Sequence, residues 1–500
     1  MLRVAVVGSG PAGLYTAEAL VKQSAALPAP VRVKVDVLDR LPTPYGLVRY
    51  GVAPDHKSIK SVTNYLRRVL ENQDVRFLGG VHFGTDVTRA DLLDAYDAVV
   101  YATGAMRDRH LGIPGEDLPG SFAATDFVNW YCGHPDLALD AFTLDAESVV
   151  VIGVGNVAVD VARILARDVS ELEPTDIPEP VLDALRASKV REVHVIGRRG
   201  PAHAKFTTKE VRELGELPGV SVSVDPAEMA LTGGFDLSDS SASLAESDRR
   251  IRGNLVTMNE WLAAREAAGT VGGDGGRQLR LRFWLRPVEI HQSPSGTVNG
   301  VSLERTRLSS DGTFEGTGEI ETLEAQLVLR SVGYQSVPLE GVPFDSRSHT
   351  VPHTAGRVLG PDGAPLPGEY VAGWLKRGPS GVIGTNKADA AETVRSLLAD
   401  LAGGPEPAAA GADAAVADGA AAAPPRPGLL KFRDPDPDEP EVLSPLAQVL
   451  AGRGVSPVSY GAWLRIEAAE ASLAAELGRG ERVKLPGSDA LWSACRRLDD

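Results

Sequence analysis

The sequence contains few of the residues that hold small secreted proteins or metal clusters together. Only two cysteines occur among the 500 residues, Cys132 and Cys495, and they lie far apart. A disulfide scaffold, a cysteine-ligated cluster and a local CxxC redox pair are therefore excluded, so any redox chemistry has to come from a bound cofactor. Basic residues are in deficit, with 51 Lys+Arg against 67 Asp+Glu and a net charge of −16. We therefore expect no bulk attraction to nucleic acid or to an anionic membrane.

A long apolar run is also absent. Nowhere do about 18 uninterrupted apolar residues occur, and Met1 leads directly into an apolar strand pattern. These observations predict a cytoplasmic protein without a membrane segment. The composition is ordinary for a globular protein, with 43% hydrophobic and 24% charged residues. At about 150 residues per domain, the length predicts roughly three domains.

Two segments repeat the same strand–helix–strand pattern. The first runs from an apolar strand at residues 4–7, through a helical stripe, to alternating valines at residues 31–37. The second runs in the same way from a strand at residues 149–152 to a strand at residues 193–196. Two such units predict an α/β protein with two Rossmann-like, dinucleotide-binding domains.

Two further strand-like runs end in glycine, at Gly104 and Gly333. We interpret them as crossings between domains. The second unit is then inserted into the first, with residues 105–333 as one domain and residues 1–104 plus 334–400 as the other. Sequence patterns place such boundaries only to within several residues.

The last hundred residues differ in composition from the rest. Residues 401–430 contain 12 alanines with interspersed glycine and proline, a composition that cannot supply a core, and we predict a linker there. Residues 431–500 begin with an acidic run and then recover an amphipathic helical pattern near 445–477. This predicts a small C-terminal helical appendix that docks back on the body.

The first unit carries a GxGxxG turn in the context that the motif requires. Gly8, Gly10 and Gly13 follow a strand and open a helix. The first glycine permits the tight turn, the second lets the backbone approach a pyrophosphate, and the third allows close helix packing. Asp39 ends the next strand, where a carboxylate can accept the ribose hydroxyls of an adenosine. A glycine-rich turn with a surface aspartate is the alternative.

The second unit repeats this turn. Gly153 and Gly155 are followed by Asn156 and Val157, and Ala158 replaces the third glycine, a change that the helix–strand contact tolerates.

The residues that follow the second unit's last strand indicate the cofactor. Gly197 precedes Arg198 and Arg199 there, where the first unit has Asp39. A carboxylate would repel a 2′-phosphate, whereas paired guanidinium groups bind it with charge-assisted hydrogen bonds. The pattern predicts NADPH in preference to NADH, with an ordinary solvated arginine pair as the alternative.

The helix after the arginine pair offers two acidic residues. Thr207 and Glu210 match a capping box, but Glu210 could equally meet the nicotinamide-side ribose. Glu213 lies one helical turn further on and faces the same predicted cleft.

Five further motifs carry a family resemblance. They are Leu41–Arg49, Gly51–His56, Ile113–Asp117, Gly197–Pro201 and Gly373–Lys387. Together they resemble the adrenodoxin-reductase-like ferredoxin-NADP reductases of the bacterial FprA kind, in order over residues 3 to about 400. The resemblance implies an enzyme with FAD in the first site and NADP in the second, which exchanges electrons with a ferredoxin. Tyr45 stands where the family often has tryptophan.

The resemblance also implies binding residues. For FAD they are Gly13, Asp39, Leu47, Val81, Trp374, Gly381, Val382 and Ile383. For NADPH they are Arg109, Asn156, Val157, Ala158, Val159, Arg198, Arg199, Glu210 and Gly381.

Three side chains are predicted to act at the meeting point of the two cofactors. Hydride transfer needs two flat rings face to face and no protein nucleophile, so these side chains position the rings. Trp374 is expected to flank the flavin, or else to be a core residue. His56 begins a predicted helix, whose N-terminus disfavours the imidazolium. We expect a neutral His56 that hydrogen-bonds to Glu213 or the cofactor, with a capping histidine as the alternative.

An acidic ferredoxin would need a locally positive face on this acidic chain. Arg249, Arg250 and Arg252 are the candidate docking residues, and a solvated basic turn is the alternative reading.

Three other functions remain open at this point. A reductase of the glutamate-synthase small-chain type shares the paired domains, but it typically adds an iron–sulfur segment that two cysteines cannot provide. A flavin monooxygenase and a nicotinamide-sensing interaction module are the others.

Overall fold

The computed structural model describes residues 1–238, 240–268, 276–401 and 445–496. The strands of the first half are β1 (Leu2–Val7), β2 (Val33–Asp39), β3 (Val75–Gly79), β4 (Ala98–Tyr101), β5 (Arg107–Asp108), β6 (Ser121–Ala123), β7 (Ser148–Ile152), β8 (Glu192–Ile196) and β9 (Val220–Val224). Those of the second half are β10 (Arg277–Arg282), β11 (Leu285–Gln292), β12 (Val298–Leu308), β13 (Phe314–Glu324), β14 (Leu327–Arg330), β15 (Tyr334–Gln335), β16 (His353–Thr354), β17 (Arg357–Leu359) and β18 (Pro365–Val371).

The helices follow the same order. They are α1 (Pro11–Ala25), α2 (Leu47–Tyr50), α3 (Lys57–Lys60), α4 (Val62–Leu70), α5 (Arg89–Ala95), α6 (Ala124–Tyr131), α7 (Asn156–Ala166), α8 (Glu179–Arg186), α9 (Thr208–Gly215), α10 (Ser240–Ser247), α11 (Arg249–Ala268), α12 (Trp374–Arg377), α13 (Thr385–Leu401), α14 (Pro445–Gly452), α15 (Tyr460–Glu476) and α16 (Gly487–Arg496). Among the described residues, no helix is both long and apolar enough to cross a membrane.

The first sheet takes strands from both ends of the chain. Its seven strands run in the order β16-β17-β18-β4-β1-β2-β3, and the pairs from β18 to β3 are parallel. The inner strands are apolar on both faces because helices cover both sides of a parallel sheet. Helices α1 and α13 pack together on one face, where Leu14, Val394 and Leu397 are buried.

Along the chain, the strands of the second sheet come between the two groups of strands that form the first sheet. The six strands of the second sheet are all parallel, in the order β6-β14-β7-β8-β10-β9. An antiparallel sheet of β11, β12 and β13 is attached to it. The predicted α/β class with two Rossmann-like layers is confirmed. The chain passes between the two large sheets after β4 and after β14, and the short strands β5 and β15 pair at these crossings.

The C-terminal helices pack on the first sheet's layer. Val458 forms a β-bridge with Gly79, and Trp463, Ile466 and Leu491 are buried in the same apolar core as Leu14. The predicted appendix is therefore present as helices α14 to α16. Of the predicted linker, residues 402–430 lie outside the described residues, and so does the acidic run at residues 434–439.

Candidate dinucleotide sites and the junction between them

The first glycine turn joins β1 to α1, and backbone packing requires two of its glycines. Gly8 has φ +113°, and a Cβ there would lie 2.5 Å from the carbonyl oxygen of Ala102. A Cβ on Gly13 would overlap the carbonyl oxygen of Gly8, so α1 approaches the turn at a distance that only glycine permits. Gly10 is the residue before α1, and a Cβ there would have only the Gly46 Cα at 4.0 Å. That opening faces the free N–H groups of a helix N-terminus.

Asp39 lies at the end of β2, beside this turn. Its carboxylate accepts hydrogen bonds from the Ser9 N–H at 2.9 Å, the Ser9 hydroxyl at 2.6 Å and the Leu41 N–H at 3.0 Å. These bonds hold the carboxylate next to the glycine turn, where a ribose is expected.

Two other predicted flavin-binding residues lie near Asp39. The Val81 side chain is buried in the core, and its N–H donates to the Asp39 carbonyl at 2.8 Å. Leu47 starts α2 directly after Tyr45 and Gly46, which both have positive φ. Tyr45 itself is buried, with its ring centroid 6.0 Å from that of Trp463 in an edge-on contact. The wall of the first site is thus supported by the C-terminal helices.

The predicted Trp374 region forms a short turn before α13. Trp374 is half-buried rather than a core residue, stacks on Tyr334 at 5.5 Å between centroids, and donates from Nε1 to the Ser380 carbonyl at 3.1 Å. Gly381 has φ +80° and Val382 is 69% exposed, whereas Ile383 packs against the core. The segment therefore presents an indole and an open backbone close to the N-terminus of α13.

The second glycine turn, between β7 and α7, has the same strand–turn–helix geometry, with more open space in front of its second glycine. Gly153 has φ +137°, and a Cβ there would overlap the Ser331 carbonyl oxygen. A Cβ on Gly155 would have no neighbour within 4 Å. Asn156 begins α7, and its Oδ1 accepts the Thr207 N–H at 2.9 Å. Ala158 and Val159 are buried against the sheet, whereas Val157 is half-buried.

Arg198 and Arg199 follow β8 at the edge of this turn. Among the described residues, neither guanidinium has an acidic partner. Burial, and then the neighbouring Arg198 cation, lower the pKa of Arg199. A bound anion would relieve that repulsion. Arg109 is exposed on the crossing segment after β5, with its N–H bonded to the Gly333 carbonyl at 2.9 Å.

A buried ionic cluster joins the two layers. His56 Nε2 lies 2.9 Å from Asp160 Oδ1 and 3.1 Å from Glu210 Oε2, and its Nδ1 lies 4.0 Å from Glu213 Oε2. Arg163, fully buried, donates to Asp55 at 2.7 Å and to Asp160 at 2.7 Å. We call these six residues the junction cluster. It connects the segment before α3 with helices α7 and α9.

The surroundings of His56 raise its pKa, which runs against the expectation of a neutral imidazole. Burial lowers the pKa of His56, but hydrogen bonds to the carboxylates of Asp160 and Glu210 raise it to about 9, against the opposing Arg163 cation. The helix that begins after His56 has only four residues, so its dipole is weak compared with two contacting carboxylates. The two carboxylates favour a protonated His56, whereas the Arg163 Nη2, which lies 2.7 Å from the same Nε2, favours a neutral ring.

Of the two hydrogen bonds of the predicted capping box between Thr207 and Glu210, only one is present. The Thr207 hydroxyl accepts the Glu210 N–H at 3.4 Å, as expected of an N-cap. The Glu210 carboxylate does not return to Thr207, whose N–H is bonded to Asn156. It is buried and bonded to His56 and Arg163 instead.

Sequence reasoning missed Arg163, Asp160 and Asp55. A signal was present, because Arg163 interrupts the apolar stripe of α7, and Asp160 precedes it by one helical turn. A charged residue on a buried helix face has to find partners across an interface.

The predicted docking arginines are largely engaged by their own domain. Arg250 Nη1 donates to the Ala204 carbonyl at 2.8 Å and to that of Phe206 at 3.2 Å. Arg252 Nη1 donates to the Ala245 carbonyl at 3.4 Å and to that of Glu246. Arg249 is exposed.

The two turns are suited to hold dinucleotides. In each, a glycine at the start of a helix leaves open space in front of free N–H groups, which is the environment that a pyrophosphate requires. A ribose acceptor, Asp39, lies beside the first turn, and beside the second lies an arginine pair without an acidic partner among the residues that the structure describes. The fold and both sites therefore define an oxidoreductase that binds two dinucleotides.

Comparisons with known proteins agree with this class. The family model described as pyridine nucleotide-disulphide oxidoreductase matches residues 2–216. NADPH-ferredoxin reductase FprA of Mycobacterium tuberculosis is 45% identical over 402 residues, covering 80% of this chain and 84% of the relative. The mitochondrial NADPH:adrenodoxin oxidoreductase of Bos taurus is 39% identical over 495 residues, covering 98% and 91%.

Structural comparison gives the same relationship. The structure of Mycobacterium tuberculosis FprA in complex with NADPH superposes with a TM-score of 0.83 and 39% identity, covering 99% of both chains. The chain therefore belongs to the family of adrenodoxin-reductase-like NADPH-ferredoxin reductases. The disulfide in the broader family's description has no counterpart here, because the only two cysteines are both free.

Proposed function

We propose that this protein is an FAD-dependent reductase that moves electrons between NADPH and a ferredoxin. The observation that carries the proposal is the contrast between the two turns. The first places Asp39 beside an open pyrophosphate cradle, and the second places Arg198 and Arg199, which have no acidic partner in the described part of the chain, beside another. The names of the relatives, which include NADPH, ferredoxin and adrenodoxin, point to the same reaction.

FAD would occupy the first turn. The proposed contacts are Gly8, Gly10, Gly13, Asp39, Leu47, Val81, Trp374, Gly381, Val382 and Ile383. The bound flavin would accept a hydride from NADPH and release electrons singly to a one-electron carrier. The chain's own contribution is to orient the ring. The half-buried Trp374 indole would restrict access to the bound flavin, and the N-terminus of α13 would favour negative charge near it.

NADPH would occupy the second turn. The proposed contacts are Arg109, Gly153, Gly155, Asn156, Val157, Ala158, Val159, Arg198, Arg199, Glu210 and Gly381. Glu210 would take part in two interactions, because it is a proposed NADPH contact and its carboxylate already bonds His56 and Arg163. A ribose hydroxyl would compete for the same carboxylate, so cofactor binding and the state of the junction cluster are linked. Residues 1–104 with 334–400 would form the FAD domain, and residues 105–333 the NADP domain.

We assign His56 and Glu213 to positioning at the junction. The Nε2 of His56 contacts the carboxylates of Asp160 and Glu210, and its Nδ1 lies 4.0 Å from Glu213. These contacts would fix the helix that meets the nicotinamide half of the cofactor. No proton transfer is needed for hydride movement between two rings. Replacement of His56 should slow flavin reduction while the flavin stays bound.

The partner is an acidic iron–sulfur protein of the ferredoxin type. For its docking surface we retain Arg249 as the exposed member of the predicted trio, since Arg250 and Arg252 are bonded to backbone carbonyls. Added salt should reduce ferredoxin-linked turnover more steeply than reduction of an uncharged dye. Equal slopes for both acceptors would contradict electrostatic docking. A cytoplasmic location remains part of the proposal.

The decisive experiment is an anaerobic titration of the purified, yellow protein with NADPH and NADH. NADPH should bleach the flavin at much lower concentration than NADH. Replacement of Arg198 by alanine should reduce kcat/KM for NADPH by about ten- to a hundredfold, the loss of a charge-assisted hydrogen bond, and should leave NADH unaffected. Arg191→Ala, which removes an exposed arginine of the same domain, is the matched control. A colourless protein that cannot be reconstituted with flavin would refute the proposal.

A further inference from the structure

The arginine pair of the second site is held in place by the antiparallel sheet of β11 to β13, which lies about a hundred residues further along the chain. Three successive carbonyls of the arginine turn accept hydrogen bonds from this region. The Leu285 N–H donates to Gly197 at 3.0 Å, and the Thr306 hydroxyl to Arg198 at 2.8 Å. The Trp284 N–H donates to Arg199 at 3.3 Å.

Aromatic side chains also pack against the arginine turn of residues 197–200. Trp284 is fully buried, and a Cβ on Gly200 would overlap its ring. The ring of Phe314, the first residue of β13, lies 6.2 Å from that of Trp284 and 5.1 Å from that of His203. The backbone of the arginine turn therefore rests on a cluster of Trp284, Phe314 and His203.

One member of the cluster reaches the guanidinium itself. The Arg199 Cζ lies 4.5 Å from the centroid of the Phe314 ring, a cation–π geometry. Such a contact fixes the plane of the guanidinium, whose fork is the part that recognises phosphate. Burial and the Arg199 cation lower the pKa of His203. A neutral His203 adds no repulsion to the arginine pair.

We propose that Phe314 is a specificity-determining positioning residue, which holds the Arg199 guanidinium ready for the 2′-phosphate of the cofactor. Without the ring, the Arg199 side chain would have to be ordered at the moment of binding, which costs conformational entropy. The inference rests on the proposed NADPH site and adds a residue that belongs to none of the sequence motifs.

The test uses calorimetric titration of the flavin-loaded protein with 2′,5′-ADP, which carries the 2′-phosphate, and with 5′-AMP, which lacks it. Phe314→Leu should weaken 2′,5′-ADP binding by about five- to tenfold, the range expected of a cation–π contact, and change 5′-AMP binding by less than about twofold. Phe314→Tyr keeps the aromatic face and should restore the affinity. The matched control is Phe122→Leu, which removes a half-buried phenylalanine that packs on Phe142 in the same domain.

A double-mutant cycle with Arg199→Ala separates positioning from general packing. In the Arg199→Ala background, Phe314→Leu should cause no further loss of 2′,5′-ADP affinity. An equal further loss in that background, or unchanged affinity in Phe314→Leu alone, would overturn the inference while the proposed function stands. A wild-type protein that binds 2′,5′-ADP no better than 5′-AMP would overturn the proposed cofactor choice, and the inference with it.

Discussion

The two glycine turns share one plan and differ in their surroundings. The first is braced by neighbouring residues, because Asp39 has three hydrogen bonds, and Tyr45, whose N–H bonds to the Ser9 carbonyl, packs on Trp463 of the C-terminal helices. The second opens to the surface, with free space in front of Gly155 and with two arginines that no acid among the described residues compensates. We infer that the first turn suits a dinucleotide that stays bound, and the second one that is exchanged in each catalytic cycle.

The largest expected effect comes from adding one methyl group to each turn. Gly13→Ala would force a Cβ into the Gly8 carbonyl, and should cost about 3 kcal/mol or more and abolish flavin binding. Gly155→Ala meets open space and should fold normally with its flavin, while losing affinity for NADPH. Thermal unfolding measures the stability of the two variants, and the visible spectrum measures their flavin content. Similar flavin contents in the two variants would contradict the assignment of the flavin to the first turn.

A second prediction concerns the support of the first turn by the C-terminal helices. Arg49, next to the turn, is buried and paired with Glu470 of α15 by two hydrogen bonds, one of 3.1 Å. Glu470→Ala would leave the Arg49 cation buried without its partner and should cost about 3 kcal/mol. Flavin should be released more easily, while 2′,5′-ADP binding at the second turn stays unchanged.

The matched control for that prediction is Glu476→Ala. Glu476 ends the same helix and is exposed, so its replacement should change the free energy of unfolding by less than about 0.5 kcal/mol. Equal destabilisation by the two variants, measured by chemical denaturation, would show that α15 is not specifically tied to the first turn.

The smallest expected effect lies at the junction cluster that connects the two sites. The pKa of His56 is raised to about 9 by Asp160 and Glu210, above its ordinary value near 6.5. Its contribution is therefore complete below about pH 6.5 and is lost as the pH rises through about 9, an effect of about 2 kcal/mol for hydrogen bonds to charged groups.

Unfolding measured across this pH range tests the assignment. His56→Gln should remove the pH-dependent part of the stability, whereas His110→Gln, at an exposed histidine, should keep it. A wild-type stability that does not fall towards pH 9 would contradict a protonated His56.

The sequence allowed accurate prediction wherever a local pattern has one structural solution. A glycine-rich turn between an apolar strand and a helix predicts one local geometry, and both turns lie where they were expected. The amphipathic pattern after residue 445 correctly predicted helices that dock on the body. The state of His56 could not be predicted in this way, because its two carboxylate partners come from α7 and α9, more than a hundred residues away.

The sequence by itself therefore determined the α/β class, the two dinucleotide turns and the chemical contrast between Asp39 and the arginine pair, because these depend on residues close together in the chain. Only the tertiary structure decided which charges meet in the junction cluster, that the C-terminal helices support the first turn, and that Phe314 lies beneath Arg199. Those contacts join distant segments, and their electrostatics depend on burial and on distances that no local pattern encodes.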